Sequence, residues 1–197
     1  MARWLCTALL TLAVGCGAVT AWAEQDFLDL EYERKATYLI YFGIYVQWPE
    51  GGNFPHAEER FVIGILGQDP FGRHLRAFEG KPLGNKRIVI HRFASIDEYR
   101  PCHLLFISDR AEPQQAPESS QDRLRDALRR VGGDPVLIVT ESAELARRGA
   151  MINFVADVED RLIKMQINRD AARRAGLDIS ARLLNLRGIV AVVEENG

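Results

Sequence analysis

Four unbroken apolar runs punctuate the middle of the chain: RFVIGILG (60–67), RIVIHRF (87–93), CHLLFIS (102–108) and PVLIVTE (135–141). Runs of this length suit strands buried on both faces, as in parallel sheets. Capped or amphipathic segments fall between them. Asp69-Pro70-Phe71 offers an N-cap with proline at the first helical position, and Gly80 ends that piece. Ser119 or Ser120 opens the helix QDRLRDALRRV, which Gly132-Gly133 closes. Only about eight residues join Phe93 to Cys102, fewer than a full helical crossover needs. Extended, they reach roughly 26 Å, enough to pass one neighbouring strand with at most a single helical turn.

The flanking segments have different periods. Residues 27–48, FLDLEYERKATYLIYFGIYVQW, place Leu28, Tyr32, Ala36, Leu39, Gly43 and Val46 at helical spacing, with Tyr38, Phe42 and Tyr45 widening the stripe. Glu31 and Lys35 form an i,i+4 pair assigned to the wet side. Trp48-Pro49 and Gly51-Gly52 stop the helix. Residues 151–168, MINFVADVEDRLIKMQIN, instead alternate twice around Glu159-Asp160. As a hairpin, Ile152 faces Ile167, Phe154 faces Met165 and Ala156 faces Ile163, while Asn153–Gln166 and Val155–Lys164 form a half-wet side. A slip of one residue would bury Lys164, so the pattern selects its own register. DAARRAG and SARLLNLRGIV then read as a helix pair. Asp178 or Ser180 caps the second, which turns Leu183, Leu184, Leu186 and Ile189 inward. The pattern predicts an α/β fold: a mostly parallel sheet flanked by helices on both faces, with a C-terminal antiparallel β-hairpin and helix pair.

At 197 residues, with 47% apolar and 26% charged positions and a net charge of −2, the chain suits one well-cored domain and lacks the basic balance that nucleic-acid binding favours. Residues 1–23 are a secretory signal peptide: Arg3, an apolar stretch from Leu5 to Val14, then Ala21-Trp22-Ala23 as a cleavage site. Residues 24–197 form the expected mature domain, exported to the periplasm. Val14-Gly15-Cys16 partly fits a lipoprotein signal, although Ala13 stands where leucine is usual. Cys6 and Cys16 leave with the signal, so Cys102 remains as a lone thiol and cannot form an internal disulfide.

The chemical inventory is sparse. His56, His74, His91 and His103 are not at metal-ligand spacing with one another or with cysteine. Cys102 and His103 are adjacent, but neighbours on a strand project to opposite faces and cannot share a site. Cys102 therefore reads as a buried thiol. No G-x-S-x-G elbow, Walker loop or H-E-x-x-H motif is present. No enzymatic activity, metal or cofactor is expected, and Asp157, Glu159 and Asp160 read as a solvated turn. The polar ends of the predicted strands, Gln68-Asp69, Ser108-Asp109 and Thr140-Glu141, form the candidate ligand site, because open α/β sheets hold ligands there. Ordinary capping and turn chemistry compete with that reading. Tyr41, Tyr45 and Trp48 form a candidate partner face, with packing of the helix on the sheet as the competing role. The C-terminal helix is a second candidate surface.

In order along the mature chain, YLIYFGIYVQWP, FVIGILGQDPFG, CHLLFIS, GAMINFV and INRDAARRAGLDISARLL resemble the YfiR family of small periplasmic proteins. The resemblance implies an α/β sandwich that acts by binding. It implies a repressor of an inner-membrane diguanylate cyclase, contacting the periplasmic sensor domain and so setting cyclic-di-GMP output and biofilm behaviour. A histidine kinase is an alternative partner, and a homodimer is allowed. Redox-sensing members carry disulfides, one through the position that Cys102 matches. Here FVIGILG and SAELARRGAMINFV contain no cysteine, so the resemblance implies no internal redox switch. A small-molecule-binding module is the alternative function.

Overall fold

The computed structural model describes residues 15–49, 59–110, 119–142, 144–157 and 159–194, with side chains from residue 27 onward. Residues 1–14 of the expected leader, His56 and the side chain of Cys16 lie outside the described set. No helix among the described residues is long and apolar enough to cross a membrane.

Helix α1 (Gly15–Tyr45) leads into a two-residue strand β1 (Val46–Gln47). Then come β2 (Arg60–Leu66), α2 (Arg73–Arg76), β3 (Pro82–Leu83), β4 (Lys86–Phe93) and β5 (Leu104–Ile107). Helix α3 (Ser120–Val131), β6 (Leu137–Thr140), β7 (Ile152–Asp157) and β8 (Leu162–Ile167) follow. The chain ends with α4 (Arg169–Arg174), β9 (Asp178–Ile179), α5 (Ala181–Leu184) and β10 (Val190–Val192). Eight strands form one sheet in the order β10-β8-β7-β6-β5-β2-β4-β3. The central neighbours β4, β2, β5, β6 and β7 all pair parallel. The short Phe93–Cys102 connection carries β4 past β2 to β5 with one 3-10 turn, Ile96–Glu98.

Alternate residues of each strand feed two cores. Helix α1 covers one face, where Tyr32, Ala36, Leu39, Phe42 and Val46 meet Phe61, Ile63, Ile90, Phe106, Val139 and Phe154. On the other face Leu124, Ala127 and Val131 of α3 meet Val62, Phe93, Leu105, Ile107 and Ile138. Ser119 caps α3, its hydroxyl accepting from the Asp122 backbone N–H at 3.1 Å. Gly64 lies on this second face. A methyl there would sit 2.8 Å from Phe93 Cε2 and 3.1 Å from both Cys102 Sγ and Leu105 Cδ1. Gly64→Val is expected to lower unfolding stability by about 1–3 kcal/mol through overpacking, read from urea denaturation.

β7 and β8 pair antiparallel, with Ile152 opposite Ile167, Phe154 opposite Met165 and Ala156 opposite Ile163. Three local expectations need correction. Asp69 does not start a long helix: α2 holds only four residues and begins after Gly72, at φ 50°. Helix α1 ends at Tyr45, and the following residues pair with β9 instead. The expected final helix shrinks to α5, leaving Leu186 exposed. Asn185 ends that helix, and Gly188, at φ 78°, lies in the turn that follows. Val190–Val192 can then pair parallel with Met165–Ile167 at the sheet edge.

Candidate functional site

The connections diverge at the carboxyl ends of β2 and β5. From β2 the chain crosses by α2 on the α1 face, where Phe71 and Leu75 are buried. From β5 it crosses by α3 on the opposite face. Such a divergence marks the usual ligand position in open α/β sheets. Gln68 and Asp69 follow β2, Ser108 and Asp109 follow β5, and Thr140 ends β6 with Glu141 next along the chain. The structure draws several of these together: the Gln68 N–H donates to the Arg110 carbonyl at 3.2 Å, and Asp109 is in side-chain contact with Glu141.

Four of the six residues, Asp69, Ser108, Thr140 and Glu141, have side-chain partners within the fold. Asp69 accepts from the backbone N–H of Phe71 at 2.8 Å and of Gly72 at 3.4 Å, and pairs with Arg92 at 2.8 Å. The Ser108 hydroxyl accepts from the Arg110 N–H at 3.2 Å, while the Ser108 carbonyl accepts from the buried Arg123 guanidinium at 2.7 Å. The Thr140 hydroxyl donates to Asn153 at 2.7 Å, and the Asn153 amide donates to Gln166 at 3.2 Å, a polar chain across β6, β7 and β8.

Charge gathers beside them. Lys35 of α1 pairs with Glu31 one turn earlier and with Glu141 Oε2 at 2.7 Å. Glu31 is 8% exposed and Lys35 3%, so the pair assigned to the wet side is in the interior. Lys35 Nζ also lies 4.7 Å from the centre of the Tyr32 ring, and the Arg110 guanidinium lies 5.4 Å from it. The signal for this burial is faint but present: Lys35 stands three residues after Tyr32 and four before Leu39, inside the apolar stripe. Desolvation holds the Glu141 carboxyl above the usual carboxylate range; Lys35 pulls it down and neighbouring Asp109 pushes it up. Desolvation also raises the Tyr32 phenol.

A raised carboxylate pKa has a definite sign in stability. Between the ordinary value and the raised one, the native state binds more protons than the unfolded chain, so stability falls as pH rises. Glu141→Gln removes that slope. The difference in unfolding free energy between wild type and variant is expected to move in favour of wild type as pH is lowered through this window, measured by urea titrations from pH 8 to pH 4.5.

The profile of the family described as YfiR/HmsC-like matches residues 32–187. The chain belongs to the YfiR/HmsC-like family. No curated protein matches the chain. The YfiR/HmsC-like region takes in β1 to β9, together with Lys35, Asp109 and Glu141; Glu31 and β10 lie just outside it.

Within this YfiR/HmsC-like region the remaining expected residues separate by role. Cys102 is a free, buried thiol on the α3 face, next to Tyr99. Burial pushes its pKa up to about 12. Cys102 in the folded protein is expected to stay unlabelled by a thiol reagent such as DTNB, and to react only after denaturation. His103 lies 5.2 Å from Phe61, on the α1 side, and its Nδ1 accepts from the Val62 N–H at 3.1 Å. Desolvation, reinforced by Lys86, lowers the His103 pKa to about 4. Among the described residues no group of three or more His, Cys, Asp or Glu side chains is placed to hold a metal.

The aromatic face is only partly as expected. Trp48 is half-buried, its indole N–H donating to the His103 carbonyl at 3.2 Å and its ring 5.5 Å from Phe61. Tyr45 is half-buried against the core, and its carbonyl accepts from the Ser180 N–H at 2.9 Å. Tyr41 stays 46% exposed, and Ile44, three residues on, is 57% exposed. The sequence pattern passed over Ile44 because a single apolar residue off the main stripe carries no periodic signal.

Proposed function

We propose that the chain is a periplasmic regulator that binds the periplasmic sensor domain of an inner-membrane diguanylate cyclase and represses it. Membership of the YfiR/HmsC-like family across residues 32–187 carries this reading. The expected leader supports export. Tyr41 and Ile44, neighbours on the outward side of α1, provide exposed apolar area of the kind that anchors interfaces. Tyr45 and Trp48 contribute less, because their rings are already engaged in the fold.

The test has two arms. Deleting the gene is expected to raise cellular cyclic-di-GMP several-fold, and the protein is expected to co-purify with a detergent-solubilised cyclase. The exchange Tyr41→Ala with Ile44→Asp should abolish capture while leaving thermal stability in place. An unchanged cyclic-di-GMP level together with recovery of the protein alone would defeat the reading. Capture of a histidine kinase would move the partner class and keep the regulatory role.

The second reading is a small-molecule-binding module at the strand ends. Its support is the position of Asp109 and Glu141 at the strand ends, where open α/β sheets take ligands, with Glu141 Oε1 buried and without a hydrogen-bond partner among the described residues.

A further inference from the structure

On α3, Gln121, Leu124, Arg125, Leu128 and Arg129 recur at three- and four-residue spacing and so share one side of the helix. Together with Arg148, from the 3-10 turn Leu145–Arg148, they line a groove of about 350 Å³. That volume is at the small end of ligand pockets. The lining runs from Gln121 to Arg129, roughly 12 Å along the helix. Its floor is apolar: Leu124 is buried and Leu128 half-buried, both packed on the second core. Its rim is basic. Arg125, Arg129 and Arg148 are exposed, and no described carboxylate lines the groove.

The three arginines differ in what the fold gives them. Arg125 pairs with Asp122 through Nη1 at 2.8 Å and with Asp126 through Nε at 3.2 Å. Arg129 pairs with Asp126 through Nη2. Two aspartates thus balance two arginines and hold their side chains in place, with N–H donors left over on each guanidinium. Arg148 has no side-chain partner among the described residues, although its neighbour Arg147 pairs with Glu144 at 3.3 Å. Its charge is unanswered. Buried Leu145 and Ala146 anchor the turn that carries it, so Arg148 borders the groove from a fixed base.

We propose that this groove binds a small amphipathic carboxylate, its apolar body along Leu124 and Leu128 and its head between Arg148 and the arginines of α3. The site is apart from the strand ends and depends on neither reading above. A carboxylate offers two oxygens to paired guanidinium N–H donors and answers the charge that Arg148 leaves over. The apolar body covers Leu128, which water now reaches. Exposed ion pairs alone contribute little, so the ligand needs both halves. An ammonium of the same shape meets three guanidinium groups, and an alcohol leaves Arg148 uncompensated.

The test uses the expected mature chain, residues 24–197, at pH 7.5 and constant ionic strength. The probe is 4-phenylbutyrate; 4-phenyl-1-butanol, 4-phenylbutylammonium and acetate are the controls, read by calorimetry and thermal shift. Saturable binding is expected from 4-phenylbutyrate and from none of the controls. Arg148→Gln, at an exposed position without a partner, is expected to weaken binding tenfold or more, the loss of a hydrogen bond to a charged group. Arg130→Gln removes the same charge from the same helix outside the groove, where Arg130 lies over the Tyr99 ring, and should leave affinity unchanged. Absence of saturable binding, equal binding of the alcohol or the ammonium, or unchanged affinity in Arg148→Gln would overturn the proposal. So would an equal loss in Arg130→Gln, because a diffuse positive field would then explain the binding. Binding of the acidic peptide Glu-Glu-Phe-Glu-Glu, lost in Arg148→Gln, with none of 4-phenylbutyrate, would assign the groove to a protein segment and overturn the small-ligand assignment.

Discussion

Replacing Lys35 with methionine is expected to cost about 3–5 kcal/mol of unfolding free energy at neutral pH, the range for removing one partner of a buried ion pair. Methionine keeps much of the packing volume, so the loss reports charge. Glu31 and Glu141 would stay buried with no ammonium between them. Lys35 is one of the groups drawing the Glu141 pKa down, so its removal lets that carboxyl rise further. The sign follows directly: the variant's native state holds more protons than its unfolded chain above the ordinary carboxylate range. Its deficit therefore shrinks as pH falls and grows as pH rises. Adding Glu31→Gln and Glu141→Gln to Lys35→Met should recover most of the loss, because buried ions replaced together by neutral groups cost little. Urea unfolding at pH 7.5 and pH 5 reads all of these. A loss below about 1 kcal/mol, the value for an exposed pair, would mean that water reaches the cluster.

Phe154→Ala is the second large effect, expected at about 3–5 kcal/mol. The ring is fully buried on β7, 5.9 Å from the Phe42 ring and 6.1 Å from Tyr38. Truncation removes apolar area and leaves a cavity between α1 and the β7–β8 hairpin, where neighbouring side chains are held by the sheet and cannot collapse inward. Phe154→Leu keeps much of the volume and is expected to cost about 1.5 kcal/mol or less. Chemical denaturation with both variants measures the difference. Equal losses would show that ring shape matters more than volume at this contact.

Both effects sit where α1 meets the sheet, and the two were unequally legible. Phe154 belongs to the strict alternation of 151–168, and its partner across the hairpin, Met165, is the one that alternation selects. The register could be read because a slip would carry Lys164 to the buried side. The 3-10 turn between β4 and β5 was legible for a different reason: chain length limits what eight residues can span. The helix after Asp69 was misread, because an aspartate that caps a helix and one that closes an Asx turn look alike in sequence. Only the pairing of Asp69 with Arg92 and the backbone angle at Gly72 separate them. Leu186 was misplaced because Gly188 redirects the chain into an edge strand, a choice that depends on β8 being free to receive it.

For the candidate site, the strand ends were legible and their chemistry was not. Apolar runs locate the carboxyl ends of β2, β5 and β6, and hence Gln68, Asp69, Ser108, Asp109, Thr140 and Glu141. Which of these remain available depends on partners such as Arg92, Arg123 and Asn153, brought from other elements. Lys35 reads as a solvated helix residue until β6 delivers Glu141 from 106 positions away. Local periodicity, chain reach and the two-residue repeat of strands by themselves determined the central strands, α3, the hairpin register and the layering. Tertiary structure alone decided which charges are buried and which acceptors stay unspent, because desolvation and hydrogen-bond satisfaction depend on everything surrounding a group and not on its neighbours along the chain.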